Sequence, residues 1–227
     1  MKKIFCFIPA KQNSTRLEKK NQIVLDGFPL FYYPINVAIK SGLFKKDEVV
    51  ISSDADQILH QASLYGGFTP YKREEKLSKD PAGVYDVIID FLNRFPTYKQ
   101  YQYVCILLPT SPLTSSQDIK QAVKMVEDNQ FDCLLSVSET PHNAQLALTI
   151  RDNLLSPLHP DKIFSKSQEL ETTYHANGAI HIVNIDKMIK EKSYLFEPIG
   201  SYIMPFERSI DIDTKHDLDI VKIILSR

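Results

Sequence analysis

Short runs rich in apolar residues alternate with amphipathic stretches along the first part of the chain. Four such runs lie at Ile4–Ile8, Glu48–Ser52, Val104–Leu108 and Cys133–Val137, and they are typical of strands buried on both faces of a parallel sheet. Apolar positions at helical spacing predict intervening helices over residues 30–40, 57–65, 84–95 and 117–129. This alternation predicts an open, mostly parallel α/β sheet with flanking helices, which binds ligands beyond the carboxyl ends of its strands.

The pattern changes after Ser138. Prolines and polar residues dominate residues 139–173, which indicates an inserted extended or hairpin segment with a possible strand at Ala147–Ile150. A strand pattern returns at Ala179–Val183, and Lys215–Leu225 forms a closing helix pattern. The 227 residues therefore predict a single domain, 1–227, with an inserted segment at 139–173.

The charge balance excludes several classes of partner. The 27 Lys and Arg against 28 Asp and Glu give a net charge of −1, which argues against nucleic acid or a membrane surface as partner, so any anion must be bound locally. Residues 4–10 imitate a signal peptide, but the apolar run is short and contains Pro9. Cys6, Cys105 and Cys133 are widely spaced in apolar runs, which favours reduced core residues and a cytoplasmic protein.

The loop after the first strand concentrates polar chemistry. Only seven glycines occur, and neither a dinucleotide-binding nor a P-loop glycine motif is present. Residues 9–21 instead carry Lys11, Ser14, Arg16 and Lys20. Such a loop can cradle phosphates with its donors and cations, or it can be an ordinary solvated basic loop.

Two aspartates near the C-terminus suggest a metal site. In extended backbone Asp211 and Asp213 share one face about 7 Å apart, with Ile210 and Ile212 facing inward. Two carboxylates suit Mg²⁺, which also takes waters and substrate phosphates. The alternative is that Asp213-Thr214 caps the closing helix. The similar Asp54-Ala55-Asp56 precedes a helical pattern, and we predict that Ser53 or Asp54 caps that helix.

The histidines and serines offer weaker signals. The six histidines show no metal-ligand spacing. His175 and His181 flank Asn177-Gly178 and could lie near a ligand, but a structural role is favoured for each. Ser14 and Ser111 lack the setting of a nucleophilic serine.

In order along the chain, five segments resemble the acylneuraminate cytidylyltransferases, also called CMP-sialic acid synthetases, and their relatives that act on legionaminic and pseudaminic acids. The likeness covers nearly the whole chain, and each segment is weak alone. The segments are Ile8-Pro9-Ala10-Lys11-Gln12-Asn13-Ser14 through Lys20-Asn21, Val50-Ile51-Ser52-Ser53-Asp54, Leu107-Leu108-Pro109-Thr110-Ser111-Pro112-Leu113, Asn177-Gly178-Ala179-Ile180 and Ser209-Ile210-Asp211-Ile212-Asp213-Thr214.

The resemblance implies a Rossmann-like nucleotidyltransferase fold of three α/β/α layers, and transfer of CMP from CTP to a nonulosonic acid with release of pyrophosphate. It implies Mg²⁺ or Mn²⁺ as cofactor, and a homodimer in which the inserted segment completes the neighbouring site. The implied nucleotide-binding residues are Lys11, Ser14, Arg16, Lys20, Asn21, Arg73, Ala82 and Gly83. The implied sugar-binding residues are Leu108, Thr110, Ser111, Lys166, Gln168, Asn177 and His181. Asp211 and Asp213 are the implied metal ligands, and with Lys20 the implied catalytic residues.

Three departures from the family pattern concern the substrate. Lys11 stands where the family usually has Arg, and Leu108 where it usually has Gln. Lys166 stands near a usual Arg and could bind the sugar carboxylate. Leu108 favours a less hydroxylated sugar, so legionaminic and pseudaminic acids are candidate substrates together with N-acetylneuraminic acid. Activation of 3-deoxy-manno-octulosonate and a non-catalytic sugar-nucleotide-binding protein are the alternatives.

Overall fold

The fold is built on a six-stranded sheet with the strand order β10-β6-β9-β5-β1-β4. The structure, a computed structural model, describes residues 3–14 and 17–226. Two hairpins, β2–β3 and β7–β8, lie outside the main sheet. The strands are β1 Ile4–Pro9, β2 Val24–Leu25, β3 Phe28–Pro29, β4 Val49–Ser52, β5 Tyr103–Leu107, β6 Cys133–Glu139, β7 Leu148–Arg151, β8 Leu154–Pro157, β9 Tyr174–Asn184 and β10 Gly200–Ile203.

Helices cover both faces of this sheet, which gives three layers and confirms the predicted fold class. Apolar residues of α1, α2 and α4 pack on one face, and those of α3 and α5 pack on the other. A smaller cluster joins α6 to β2 and to Ile212. The helices are α1 Tyr32–Ser41, α2 Asp56–Leu64, α3 Val84–Arg94, α4 Ser116–Asn129, α5 Ile185–Glu191 and α6 Lys215–Leu225.

The predicted strands and helices are confirmed to within a few residues, with one reversal of direction. β1, β4 and β5 run parallel, as do β6 and β10, whereas β9 is antiparallel to both β5 and β6. A chain that leaves β6 through an insertion re-enters the sheet at the carboxyl edge, so its next strand runs backwards. The sequence pattern did not reveal β10 or α5, because each is short and half of β10 is exposed.

The predicted cap of α2 is wrong. Ala55 occupies the N-cap position, and no side chain there accepts a capping hydrogen bond. The Asp54 carboxylate instead accepts a hydrogen bond from the Gln12 backbone N–H at 2.9 Å. At the last helix, by contrast, Thr214 is the N-cap and accepts from the Asp217 N–H. Capping there is the role of Thr214, and the Asp213 side chain points elsewhere.

The segment 139–173, called the arm below, leaves the sheet at the end of β6 and returns at β9. Its two ends are joined by a hydrogen bond from the Thr140 N–H to the Thr173 carbonyl at 2.9 Å. Between them, β7 and β8 form an antiparallel hairpin. All four residues of β7 are exposed, so the hairpin has little contact with the core of the domain.

Two further expectations concern the environment. Cys6, Cys105 and Cys133 are buried free thiols, as predicted, and burial raises the pKa of each. Among the described residues, no helix combines the length and apolar character that a bilayer crossing requires.

Candidate functional site

A cavity of about 370 Å³ lies where β1 and β5 end. The chain proceeds from β1 to β4 on one side and later returns to β5 on the other side of β1. Such a change of direction opens a crevice beyond the strand ends. The cavity is lined by Pro9, Lys11, Ser14, Lys20, Asn21, Arg73, Leu77, Ser78, Ala82, Gly83, Val84, Val87, Leu108, Pro109, Thr110, Asp211 and Asp213.

The loop after β1 forms the cationic wall of the cavity. The Asn21 side chain is buried and its Nδ2 donates to the Lys11 carbonyl at 2.7 Å. This bond ties the start of the loop to its end. Lys11, Ser14 and Lys20 all face the same cavity. Arg16, also predicted to bind nucleotide, lies outside the described residues.

Lys20 of this loop meets the two C-terminal aspartates, which line the same cavity. Lys20 Nζ donates to Asp213 Oδ1 at 2.8 Å, with the Lys20 side chain 14% exposed. Asp211 is held from the β5–α4 loop, because the Ile212 N–H donates to the Thr110 carbonyl at 2.8 Å. Residues 209–213 form no strand, but the predicted alternation holds, since Ile212 is buried and the two aspartates reach the cavity.

The electrostatics of Asp211 suit a bound cation. Burial raises the pKa of Asp211, the Asp213 charge raises it further, and the hydrogen bond from Thr110 and the Lys20 charge oppose both. Asp211 Oδ1 is buried without a hydrogen-bond partner. A divalent cation would satisfy that oxygen, and Mg²⁺ requires only one or two protein carboxylates when phosphates supply the rest. No described group of three or more His, Cys, Asp or Glu residues forms a metal cluster. Asp211 and Asp213 are the carboxylates in the described cavity lining.

Arg73 lines the cavity beside the carboxyl end of β4. Its side chain is 2% exposed and its Nη2 lies 3.5 Å from Asp54 Oδ1. Its Nε donates to Ser78 Oγ at 3.1 Å. Burial lowers the pKa of Arg73, and the Asp54 charge opposes this shift. A buried guanidinium of this kind is a ready partner for an acceptor on a ligand.

Ala82 and Gly83 shape the wall where α3 begins. The Ala82 N–H donates to the Lys79 carbonyl at 3.0 Å, and the Gly83 N–H donates to the Asp86 carboxylate at 2.7 Å. Both amides are therefore already used within the protein. The predicted contact of these two residues with nucleotide would therefore use the other backbone atoms at this wall.

Five of the seven predicted sugar-binding residues divide into three groups. Leu108 and Thr110 line the cavity. Leu108 Cδ1 lies beside Gly178, at 3.5 Å from the position that a Cβ added to Gly178 would take. Ser111 is buried outside the lining, and its Oγ has no hydrogen-bond partner. Lys166 and Gln168 are exposed on the arm and do not line the cavity.

Asn177 is buried outside the cavity lining and belongs to a chain of buried hydrogen bonds. Its Oδ1 accepts from Ser136 Oγ at 2.6 Å, and its Nδ2 donates to Ser209 Oγ at 3.1 Å. Ser209 Oγ in turn donates to the Pro205 carbonyl. The amide thus joins β6 and β9 to the segment that carries Asp211, so its visible contacts are structural.

The two candidate histidines differ in their surroundings. His175 Nε2 lies 3.1 Å from Ser138 Oγ at the exposed end of β9. The His181 ring stacks on Tyr194 at 5.6 Å, and its Nε2 is buried without a hydrogen-bond partner. Burial lowers the pKa of His181 to about 4, so the ring is neutral at physiological pH. Neither histidine lines the cavity.

Sequence reasoning missed several wall residues. Leu77, Ser78, Val84 and Val87 line the cavity, and Asp54 braces it from behind. Val84 and Val87 read only as the apolar face of a helix. Asp54 carried a usable signal, because it directly follows the carboxyl end of a buried strand, where ligand sites of α/β sheets gather.

The chain is similar to known proteins over most of its length. The sequence profile of the cytidylyltransferase family matches residues 5–197. The chain is 35% identical over 225 residues to pseudaminic acid cytidylyltransferase of Campylobacter jejuni, across 98% of this chain and 96% of that protein. It is 32% identical to CMP-N,N'-diacetyllegionaminic acid synthase of Legionella pneumophila, across 95% and 93% of the two chains. It is 34% identical to N-acylneuraminate cytidylyltransferase of Streptococcus agalactiae, with 95% of this chain matched, but spans only 51% of that protein's length.

Solved structures support the fold at lower identity. CMP-2-keto-3-deoxy-manno-octonic acid synthetase complexed with CTP superposes with a TM-score of 0.71 at 14% identity, over 99% of this chain and 98% of that one. A 4-diphosphocytidyl-2C-methyl-D-erythritol synthase from Anaerococcus prevotii gives 0.65 at 11%, over 100% and 99%. These likenesses concern the fold alone. The family profile and the relatives at 32–35% identity over nearly the whole chain decide the family: the chain belongs to the cytidylyltransferases.

Proposed function

We propose that this protein transfers CMP from CTP to a nonulosonic acid and releases pyrophosphate. The observation that carries the proposal is one cavity in which Lys11, Lys20 and Arg73 face Asp211 and Asp213. The cations suit a triphosphate, and the paired carboxylates suit its metal ion. The relatives named above, whose names refer to sialic-type acids, align with this chain over most of its length.

The chemistry is a direct displacement. The anomeric hydroxyl oxygen of the sugar forms a bond to the α-phosphorus of CTP, the bond from that phosphorus to the β-phosphate bridge breaks, and pyrophosphate leaves. The hydroxyl proton passes to water or a carboxylate. Such a reaction needs positioning and charge neutralisation and no covalent enzyme intermediate.

The chain's own residues supply both. Lys11, Ser14 and Lys20 hold the triphosphate, and Lys20 releases Asp213 in part to do so, because the two are paired at 2.8 Å without ligand. Asn21 stabilises the loop by its bond to the Lys11 carbonyl. Arg73, with the backbone at Ala82 and Gly83, contacts the ribose and base.

Asp211 and Asp213 are proposed to hold Mg²⁺ or Mn²⁺. When bound, the ion neutralises phosphate charge and acts as a Lewis acid at the reacting centre. The orphaned, buried Asp211 Oδ1 supports this assignment. The raised pKa of Asp211 supports it as well, since a carboxylate destabilised by burial gains most from a cation.

Leu108 is proposed to select the sugar. Leu108 lines the cavity, and its Cδ1 lies beside Gly178. Against this apolar side chain, burial of an apolar group of the substrate costs less free energy than burial of a hydroxyl. A deoxygenated nonulosonic acid of the pseudaminic or legionaminic type therefore fits this wall better than N-acetylneuraminic acid.

A homodimer is proposed to complete the sugar side of the site. One face of the β7–β8 hairpin presents Leu148, Ile150 and Leu155 at 47%, 69% and 64% exposure. Exposed apolar faces of this kind mark protein interfaces. A second copy that covered this face would bring its own Lys166 and Gln168, which do not line their own cavity, towards the partner's sugar. The buried free thiols suit a reducing compartment, so we place the enzyme in the cytoplasm.

A direct assay tests the function. Purified protein is incubated with CTP, Mg²⁺ and, separately, N-acetylneuraminic, legionaminic, pseudaminic and 3-deoxy-manno-octulosonic acids, and pyrophosphate and the CMP-sugar are measured. We expect release that requires both metal and a nonulosonic acid, with a higher kcat/KM for pseudaminic or legionaminic acid. Turnover of 3-deoxy-manno-octulosonate alone, or of no acid at high enzyme concentration, would reject the proposal.

A matched variant tests the role of Leu108. Leu108→Gln replaces the apolar wall with an amide of similar length. We expect the ratio of kcat/KM for N-acetylneuraminic acid to that for the preferred deoxygenated acid to rise about tenfold, with KM for CTP unchanged. An unchanged ratio would remove Leu108 from the specificity argument.

A further inference from the structure

We propose that Asp54 is a positioning residue that couples the phosphate loop to Arg73, so that both ends of a bound nucleotide depend on one carboxylate. This inference rests on the proposed binding of CTP. The Asp54 side chain is 10% exposed. Its Oδ1 accepts the Gln12 backbone N–H at 2.9 Å and lies 3.5 Å from Arg73 Nη2.

On the loop side, Asp54 anchors the chain just after β1. The Ala10 N–H donates to the Ser52 carbonyl at 2.9 Å, which is the last backbone bond between this segment and β4. The bond from the Gln12 N–H to Asp54 extends that attachment to the residue beside Lys11. Among the described residues, the bond from Asn21 Nδ2 to the Lys11 carbonyl is another attachment of the loop at this point.

On the other side, Asp54 is the charge partner of a buried cation. Arg73 is fixed by its backbone N–H to the Ser53 carbonyl at 2.8 Å and by Nε to Ser78 Oγ. Its Nη2 is buried and has no hydrogen-bond partner besides the 3.5 Å ion pair with Asp54. Loss of the carboxylate would leave a buried guanidinium uncompensated, so Arg73 would turn away from its place in the cavity wall.

The neighbouring Asp56 provides an internal comparison. It belongs to the same Asp-x-Asp sequence and also pairs with a cation, Lys72. However, its side chain is 79% exposed, and neither partner lines the cavity. The two aspartates of this sequence therefore differ in position: Asp54 supports the cavity wall, whereas Asp56 lies on the surface.

The test uses two probes that report the two ends separately. Calorimetry measures the binding of CMP, which reaches Arg73, and of inorganic tripolyphosphate, which reaches the loop, to wild type and to the variants Asp54→Ala, Asp54→Asn and Asp56→Ala. For Asp54→Ala we expect both affinities to fall at least tenfold and KM for CTP to rise likewise, with kcat at saturating CTP changed less than threefold. Asp56→Ala should bind both probes as wild type does.

Asp54→Asn separates positioning from charge. Its Oδ1 still accepts the Gln12 N–H, so we expect tripolyphosphate affinity to recover to within about threefold of wild type while CMP affinity stays reduced. This variant also decides the matter if Asp54→Ala does not fold, because wild-type affinity for CMP in Asp54→Asn would overturn the proposal.

Other outcomes have distinct meanings. Loss of CMP binding alone in a folded Asp54→Ala would show a local role at Arg73 and overturn the coupling. Wild-type binding of both probes by Asp54→Ala would overturn the inference and leave the proposed function standing. A wild-type protein that binds neither CMP nor CTP would overturn both.

Discussion

The cavity and the arm use their residues in opposite ways. At the cavity, side chains from distant parts of the sequence converge on strand ends, and two pairs of opposite charges meet there, Lys20 with Asp213 and Arg73 with Asp54. On the arm, apolar side chains such as Ile150 and Leu155 face outward, and the hairpin is joined mainly to itself.

The difference indicates which part of the site one chain completes alone. The nucleotide side is internally paired and backed by the sheet, so it can exist in a single subunit. The sugar side has Leu108 and Thr110 in place, but Lys166 and Gln168 remain outside the cavity lining. Apolar area exposed on a hairpin favours association because burial removes it from water, at about 25 cal/mol per Å². We therefore propose that the arm packs against a second surface, whereas the described cavity lining comes from one chain.

The largest expected effect is at the cavity. Asp211→Asn removes a proposed metal ligand with little change in shape, and we expect kcat to fall about 10³-fold, which is roughly 4 kcal/mol of transition-state stabilisation. The melting temperature should not fall, because burial raises the pKa of Asp211 and its charge is costly in the folded state. The exposed Asp219→Asn on α6 is the control for kcat. Near-normal turnover by Asp211→Asn would refute the metal assignment.

The second test moves to the arm. Ile150→Glu places a charge on the apolar hairpin face, and we expect the molar mass by light scattering to halve and the kcat/KM for the sugar to fall at least tenfold. CTP affinity should not change, because the nucleotide side lies within one chain. Ser156→Glu, on the opposite face of the same hairpin, should keep both mass and activity. A monomeric wild type with full activity would contradict the division of the site.

The third test concerns the ion pair at the cavity wall. Lys20→Ala removes a charge-assisted bond worth about 1.5–3 kcal/mol, so KM for CTP should rise about 10- to 100-fold with a much smaller change in KM for the sugar. Lys20→Arg keeps the charge and should recover most of the affinity. Equal losses for CTP and sugar would argue against a triphosphate cradle at Lys20.

The smallest expected effect lies on β9, the strand that follows the arm. His181 has a pKa of about 4 in the folded protein and about 6.5 when unfolded, so between these values the unfolded state binds more protons. Stability should therefore be lost as the pH falls from 7 to 5, by about 2 kcal/mol from this residue. His181→Phe retains the stacking on Tyr194 without titrating. Urea unfolding at both pH values should show a smaller loss for the variant, and parallel losses would exclude His181 as the cause.

Local pattern was enough for much of the framework. Buried runs and helical spacing located β1, β4, β5 and β6 and the helices between them, because those elements bury faces that the sequence repeats. Pattern was not enough for Asp54, which reads as a cap beside α2 but bonds to Gln12, 42 positions away in the chain. The preference of Asp54 for capping the adjacent helix is overridden there, because a buried cation is a stronger partner for the carboxylate than a helix end.

The sequence by itself determined the α/β class, the positions of β1, β4, β5, β6 and β9 and the residue types available at their ends. The tertiary structure alone decided which of those residues meet. Lys20 and Asp213, 193 positions apart, touch because the segment after β10 comes back to the end of β5, where the Ile212 N–H bonds to the Thr110 carbonyl. Lys166 and Asn177 do not reach the cavity lining, because one lies on the arm and the other is bound between Ser136 and Ser209. Contacts between distant segments follow from sheet topology and packing, and no local period encodes them.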